Sequence, residues 1–301
     1  KGDTMAVLGS GKANGACSLL HAAGIGYGAS IGLDLPIAVR LLDRPSKRDV
    51  DDPDELLPAI IDAWLAGGFK LPNDLAKEEL HWAIISQIPP RQGLKSSAAT
   101  AIGALRALAD ATQSEVSDEE YVAMAAQAQL DSNVSLTGSI DDAWACLQPG
   151  WKLIDPQANN IAEGVLFEGD GPNMEQWLVM VVCRGERTKR PELEDFIPHQ
   201  KAFQNSLEAL QEMNELVALT WNGRGTVAVM NDVQGRRITN DAMVNGARAA
   251  GMSGSGNAII AVAPRISKQS CDRLRKLFES NKDVVKVIET SFISIEREET
   301  M

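Results

Sequence analysis

Apolar and polar positions change rhythm several times along this chain, and the changes divide it into elements. From Ala6 to about Arg40, short apolar stretches such as "CSLLHAA" and "ASIGLDLPIAVRLL" are broken by Gly and Ala, the texture of strands joined by tight turns. "DRPSKRDVDDPDE" is a polar, proline-containing loop, and "ELLPAIIDAWLAGGF" after it spaces its apolar residues as a helix does. "EELHWAIISQIPP" fits a helix or a strand and must end at its proline pair, because the residue before a proline is driven out of helical geometry. Helices are predicted over 98–111 and 117–130, the second opened by Ser117 with Glu120 three residues on, a capping box.

Beyond Trp151 the texture alternates. "QWLVMVVC" predicts a buried strand, 198–219 a helix, "GTVAVMND" a strand and "DAMVNGARAAG" a helix. "NAIIAVAP" predicts a strand, "SKQSCDRLRKLFES" a helix and "VVKVIETSFIS" the last strand. The class is therefore α+β. An N-terminal α/β lobe spans 1–155, and a second lobe, 156–301, places antiparallel strands under helices. The boundary falls in the loose stretch from Leu153 to Gly171.

Composition narrows the function. The chain is 44% hydrophobic and 23% charged, as ordinary globular proteins are. Its net charge of −12 argues against a nucleic-acid backbone or an anionic membrane surface as partner, but a local pocket of N–H groups and basic side chains can still oppose that charge. Cys17, Cys146, Cys183 and Cys271 are scattered without a C-x-x-C pair, so free thiols in a reducing cytoplasm are expected rather than a zinc site. No apolar run reaches the length of a membrane span, and the residues through His21 and Gly24 make a poor signal peptide. Trp64, Trp82, Trp151, Trp177 and Trp221 read as packing residues.

Several glycine-rich stretches compete for a phosphate. "GSGKANG" fails as a P-loop, because Ala6 and Ala13 stand where the earlier glycine and the hydroxyl residue are required. "GIGYGA" lacks the long helix that a dinucleotide fingerprint needs, so tight strand turns are the better reading. "PPRQGLKSSAATAIGALRAL" places Gly93, Arg91, Lys95 and the potential caps Ser96 and Ser97 before a strongly helical run. The unpaired N–H groups of such a helix start suit an anion, and an ordinary capped helix explains the same residues equally well. "SLTGSIDDAWA" sets Asp141 and Asp142 in a turn, where a carboxylate can take a hydroxyl proton, help hold a metal, or simply cap a helix. "GMSGSGNA" packs glycines and serines between two apolar elements.

These three stretches, in this order, resemble the three motifs of the GHMP kinases. "PPRQGLKSSAA" is similar to that family's phosphate loop at Pro89, Gly93, Leu94, Ser96, Ser97 and Ala98; "GSIDDA" is similar to the segment carrying its catalytic aspartate, and "GMSGSGNA" to its C-terminal glycine motif. Within the superfamily, "GKANGACSLLHAAGIGYGASIGLDL" and "SLTGSIDDAWAC" most resemble archaeal-type shikimate kinases. The resemblance implies a two-lobed fold with a ferredoxin-like C-terminal lobe, ATP and Mg²⁺ in the cleft, and transfer of the γ-phosphoryl group to a ring hydroxyl of shikimate.

It implies roles as well. Pro89, Pro90, Arg91, Gln92, Gly93, Leu94 and Lys95 would form the ATP loop, with Ser96, Ser97, Ala98 and Ala99 opening the helix behind it. Gly254, Ser255 and Gly256 would border the phosphates, Ser97 would lie near Mg²⁺, and Asp141 would be the catalytic base. Lys12, Asp34, Asp142 and Arg187 are candidates on the acceptor side, and "CRGERTKRPE" offers Arg184, Arg187, Lys189 and Arg190 for a substrate carboxylate. The chain departs from several relatives in having no glutamate shortly before Asp141; Asp131 is the acidic residue at a similar distance. Other acceptors, homoserine above all, and a silent ATP- or sugar-binding regulator remain as alternatives.

Overall fold

Two long strands organise the first half of the molecule. β1 (Val7–Leu20) and β2 (Gly28–Leu42) pair antiparallel across the one-turn helix α1 (Ala22–Ile25). The computed structural model describes residues 6–47, 50–135, 137–185 and 190–296. The free edge of β2 is shared: β3 (His81–Ser86) pairs with its C-terminal half and β4 (Trp151–Ile154) with its N-terminal end. β5 (Val165–Gly169) pairs with β4 and completes a five-stranded sheet. The ambiguous "EELHWAIISQIPP" is thus a strand. The lobe boundary expected at 155 needs correcting, since it falls inside a hairpin: β5 still belongs to the first sheet, which runs on to Gly169.

Helices α2 (Leu56–Ala66), α3 (Ser96–Thr112), α4 (Asp118–Asp131) and α5 (Ile140–Leu147) pack together, with α3 and α5 against β1 and β2. Close contact between α3 and β1 explains the small residues of the N-terminal region. A Cβ on Gly11 would lie 2.0 Å from the Gly103 carbonyl oxygen, so the helix backbone can approach this strand only where side chains are missing. α4 opens as its sequence predicts: Ser117 Oγ accepts from Glu120 N at 3.2 Å, and Glu120 Oε2 accepts from Ser117 N at 2.8 Å. α3 does not. Lys95, in left-handed geometry at φ 61°, is its N-cap, and Ser96 and Ser97 lie inside the first turn rather than capping it.

The second sheet contains β6 (Trp177–Arg184), β7 (Ala249–Met252), β8 (Ile259–Pro264) and β9 (Val284–Thr290), in the order β7-β8-β6-β9 with every neighbouring pair antiparallel. This is the ferredoxin-like order. Val179 and Val181 join the core shared with the first sheet, while Leu178, Met180 and Val182 join a second cluster beside α9 (Val233–Val244) and α10 (Lys268–Glu279). Burial on both faces is why "QWLVMVVC" is apolar without alternation.

Three predicted elements differ from the observed ones. The helix predicted over 198–219 is two helices, α7 (Gln200–Gln211) and α8 (Glu215–Val229), which follow the short α6 (Leu193–Phe196). The break comes at Met213, with φ 56°, and Asn214 caps the new helix by accepting from Val217 N at 3.3 Å. "GTVAVMND", predicted as a strand, lies mostly in α8, and the residues predicted as one helix in "DAMVNGARAAG" end α9 and begin β7. Tertiary contact overrides local preference in α8. A Cβ on Gly223 would lie 2.1 Å from Gly251 Cα, and one on Gly225 would lie 2.7 Å from the Phe203 ring.

The chain finally returns to the first sheet, where Phe292 bridges Leu33 and Ile293 N donates to Gly32 O at 2.8 Å. Among the described residues, no helix is long and apolar enough to cross a membrane.

Candidate active site

The proline pair ends β3's extension and turns the chain into a loop that reaches α3 through three left-handed residues, Arg91, Gly93 and Lys95, at φ 57°, 75° and 61°. Two of these carry side chains, and a non-glycine residue in that region costs roughly 1–2 kcal/mol. Surrounding structure must therefore hold them. The first helical bond of α3 runs from Ala99 N to Lys95 O, so the N–H groups of Ser96, Ser97 and Ala98 lie ahead of it, at the positive end of the helix dipole.

The second glycine stretch braces this loop. Ser253 Oγ donates to Gly93 O at 2.8 Å, and Ala258 N donates to Gln92 O at 3.2 Å. A Cβ on Gly256 would lie 2.0 Å from Gly93 N and 2.2 Å from Gln92 C; one on Gly93 would lie 2.1 Å from Ser253 O. The two backbones interlock where neither has a side chain. Gln92 fastens the loop a second time, donating from Nε2 to Arg184 O at 2.8 Å and accepting at Oε1 from Arg184 N at 3.1 Å.

Asp141 and Asp142 occupy the first turn of α5, behind the left-handed N-cap Ser139, and both are buried. Lys95 Nζ pairs with Asp142 Oδ1 at 2.8 Å. Ser30 on β2 lies between the carboxyls, its Oγ 3.0 Å from Asp141 Oδ2 and 2.7 Å from Asp142 Oδ1. Gly28 leaves room for Asp141, since a Cβ there would lie 2.7 Å from the carboxyl carbon.

The environment separates the two carboxyls. Burial and then the charge of Asp142 push Asp141 well above the usual carboxylate range. Burial also opposes charge on Asp142, but Lys95, by charge and hydrogen bond, together with Ser30, outweighs it and holds Asp142 below that range. Lys95, which burial alone would lower, is raised instead by both aspartates. The site thus contains an ion pair, Lys95–Asp142, beside a carboxyl that gains and loses its proton toward neutral pH, the property a general base needs.

These groups open on a cavity of about 630 Å³. Pro90, Arg91, Gly93, Leu94, Lys95, Ser96, Ser97 and Ala98 line it, with Gly254 and Ser255 from the second loop and Asp141 and Asp142 from α5. His21, Gln129, Ser135, Thr137, Ser139 and Arg190 line it as well. His21 accepts at Nδ1 from Ala23 N, lies 4.8 Å from the Phe196 ring, and is pulled by burial and then Lys95 down to about 4, so it is neutral at physiological pH. A second cavity, of about 490 Å³, is lined by Val50, Leu57, Ile61, Leu80 and Trp82. The segment 50–54 divides the two, with Asp51, Pro53 and Asp54 on one side and Val50 and Asp52 on the other.

No group of three or more His, Cys, Asp or Glu side chains that could hold a metal is assembled among the described residues. Ser96 and Ser97 do line the cavity at the helix N-terminus, and each carries a hydroxyl. That donor set fits Mg²⁺, which keeps several waters and takes much of its coordination from phosphate oxygens.

Residues 64–150 match the family model described as the GHMP kinases N terminal domain. The mevalonate kinase of Methanococcus jannaschii superposes with a TM-score of 0.68 at 15% identity, covering 98% of this chain and all of that one. The chain has the GHMP kinase fold. Among curated relatives, the shikimate kinase of Pyrococcus abyssi is 28% identical over 156 residues, 49% of this chain and 55% of its own length. The shikimate kinase of Methanococcoides burtonii is 24% identical over 209 residues, 68% of each. The chain spans about half the length of the curated relatives it matches, as with the Pyrococcus protein.

On the GHMP kinase fold, most sequence candidates converge and some do not. Pro89, Gln92, Ala99 and Gly256 are not cavity-lining residues: Ala99 is in the core, and Gln92 and Gly256 shape the loop from behind. Lys12 is exposed on β1, where its carbonyl accepts from Arg106, and Asp34 is exposed on β2; both are corrected, since neither reaches the cavity. Alternation along a strand puts Lys12 on the face opposite Gly11, away from α3. Arg184 pairs with Asp232 at 2.5 Å instead of facing a ligand, and Asp131 is exposed at the end of α4, accepting from Gln127. Buried Gln129 is the α4 residue that reaches the cavity. Arg187 and Lys189 lie outside the described residues. His21 and Ser30 carried no signal in the sequence, because both depend on partners about 100 or more positions away.

Proposed function

We propose that this chain is an ATP-dependent small-molecule kinase whose acceptor is shikimate. One observation carries the reading: the interlocked glycine loops present α3's N-terminus to the same cavity that Asp141 borders. Phosphoryl transfer asks a protein chiefly to position reactants and neutralise charge, and the cavity supplies a helix N-terminus, Lys95 and a candidate base. The triphosphate would lie along Gly93–Ala98, with the nucleoside in the neighbouring apolar cavity beside Trp82. Asp141 would take the acceptor's hydroxyl proton as its oxygen bonds to the γ-phosphorus and ADP departs. Mg²⁺, bound with the nucleotide and held by Ser97, would offset the phosphate charge.

The names of the curated relatives support shikimate. So does Arg190, which lines the cavity, donates to Asn133 O at 2.7 Å, and carries the planar guanidinium whose fork matches a carboxylate. An ATP-coupled assay across shikimate, homoserine, mevalonate and galactose tests the assignment. Turnover of homoserine without shikimate would replace the acceptor and leave the kinase reading in place; ATP binding without turnover of any acceptor would favour a regulator. Arg190→Ala is expected to raise KM for shikimate about tenfold or more, as loss of a charge-assisted hydrogen bond does, with KM for ATP unchanged. An equal rise in both constants would remove Arg190 from the acceptor side.

A further inference from the structure

Ser30 presents a problem of proton counting. Its hydroxyl has a single hydrogen, yet its oxygen is within hydrogen-bond distance of a carboxyl oxygen on either side, 2.7 Å from Asp142 and 3.0 Å from Asp141. Were both carboxyls ionised, one of these contacts would set lone pair against lone pair in a buried site, where an unpaired polar contact is costly. The arrangement is satisfied when the hydrogen of Ser30 points to Asp142, the nearer carboxylate, and Asp141 carries a proton that it donates to Ser30 Oγ.

We propose that Ser30 is a positioning residue that shares one proton between the two aspartates and so selects Asp141 as the group that takes the acceptor's proton. This rests on the kinase reading above. In turnover, Asp141 enters ionised, the acceptor's O–H bond breaks, and the proton goes to an Asp141 oxygen. The new carboxyl then donates to Ser30 Oγ, whose own O–H still points to Asp142, and the proton later leaves to solvent.

The surrounding groups fix the direction. Asp142, the neighbour of Asp141 on α5, is anchored by Lys95 from the loop before α3. His21, at the start of α1, is neutral and adds no cation beside Asp141. Cys146 on α5 and Cys17 on β1 are buried thiols whose titration burial pushes upward, so they stay uncharged at neutral pH. Among the described residues, Lys95 is the cation that acts on both aspartates, and it is bonded to Asp142 rather than Asp141; Arg91 and Arg190 also line the cavity. Ser30 itself is fixed by the ladder of β2, in register with Ser18 on one side and Lys152 on the other.

Two readouts test the proposal. In the ligand-free protein, the infrared band of a protonated carboxyl should persist above the usual carboxylate range and vanish in Asp141→Asn. Ser30→Ala, which removes the acceptor for that proton, should lower the midpoint of the band by about one pH unit, the worth of one hydrogen bond to the neutral form. Ser30→Thr should restore it. In turnover of shikimate with ATP, the acidic limb of kcat/KM should move to lower pH by the same amount in Ser30→Ala and return in Ser30→Thr. A purely structural serine would depress the rate at all pH values and leave the limb in place. A midpoint unmoved in Ser30→Ala overturns the proposal and places the proton directly between Asp141 and Asp142; a midpoint moved upward overturns it by making Ser30 a donor to Asp141. The infrared titration needs no substrate, so it stands even if every acceptor fails, whereas loss of the kinase reading would appear only in the assay.

Discussion

Asp141→Asn lowers turnover by about 10²–10⁴-fold, the contribution of a positioned general base, while ATP binding is kept. The substitution is close to isosteric, and the Asn amide N–H can donate to Ser30 Oγ as the protonated carboxyl does, so the cavity keeps its shape. The same change raises thermal stability, and increasingly so with pH. A carboxyl whose folded-state pKa lies above its unfolded value contributes stability below the unfolded value and loses it as pH rises through the folded one. Asp141 is such a group, raised by burial and by Asp142. Asn has no proton to lose, so the melting temperature of the variant should exceed that of the wild type most at alkaline pH and converge with it in acid. Opposite movements of activity and stability are the mark of a strained functional residue. Near-normal turnover in Asp141→Asn would remove it as the base, and a stability gap independent of pH would remove the raised titration.

Gly256→Ala is the second large effect, and it acts without touching the cavity. The added Cβ would lie 2.0 Å from Gly93 N and 2.2 Å from Gln92 C, both backbone atoms that cannot swing aside. The loops must separate, and α3's N–H groups shift against whatever they bind. Misplacement by about 1 Å costs on the order of 100-fold in kcat/KM. Gly185→Ala is the matched control, because among the described residues nothing lies within 4 Å of a Cβ there, and its activity should be normal. Circular dichroism separates a shifted loop from an unfolded chain. Equal activity in the two variants would show that the second glycine loop does not hold the first.

Local chemistry made much of the fold legible. The Ser117–Glu120 capping box lies within four residues, and α4 begins where it predicts. The proline pair stops an extended segment, and the Ala-rich run behind Ser97 is helical as its spacing demands. "GTVAVMND" misled for the opposite reason. Gly223 and Gly225 look like helix breakers in isolation, but in α8 they admit the backbone of Gly251 and the ring of Phe203. Ser96 and Ser97 were plausible caps by residue type, yet Lys95 takes the cap position, in a left-handed conformation held by the bond between Lys95 and Asp142.

The sequence by itself determined most of the strands of the first sheet and of its helices, the capping box of α4, and the three motifs that resemble the GHMP kinases. Each is a property of neighbours along the chain or of residue type. Tertiary structure alone decided that Gly256 interlocks with Gly93, that Lys95 neutralises Asp142 and leaves Asp141 raised, and that Ser30 stands between the two carboxyls. These depend on distances between residues about 50 to 160 positions apart, and on burial, which sets how strongly charges act on one another. No local pattern encodes such a distance; only the packing of α3 and α5 on the first sheet, with the second sheet's glycine loop pressed against the gap, creates it.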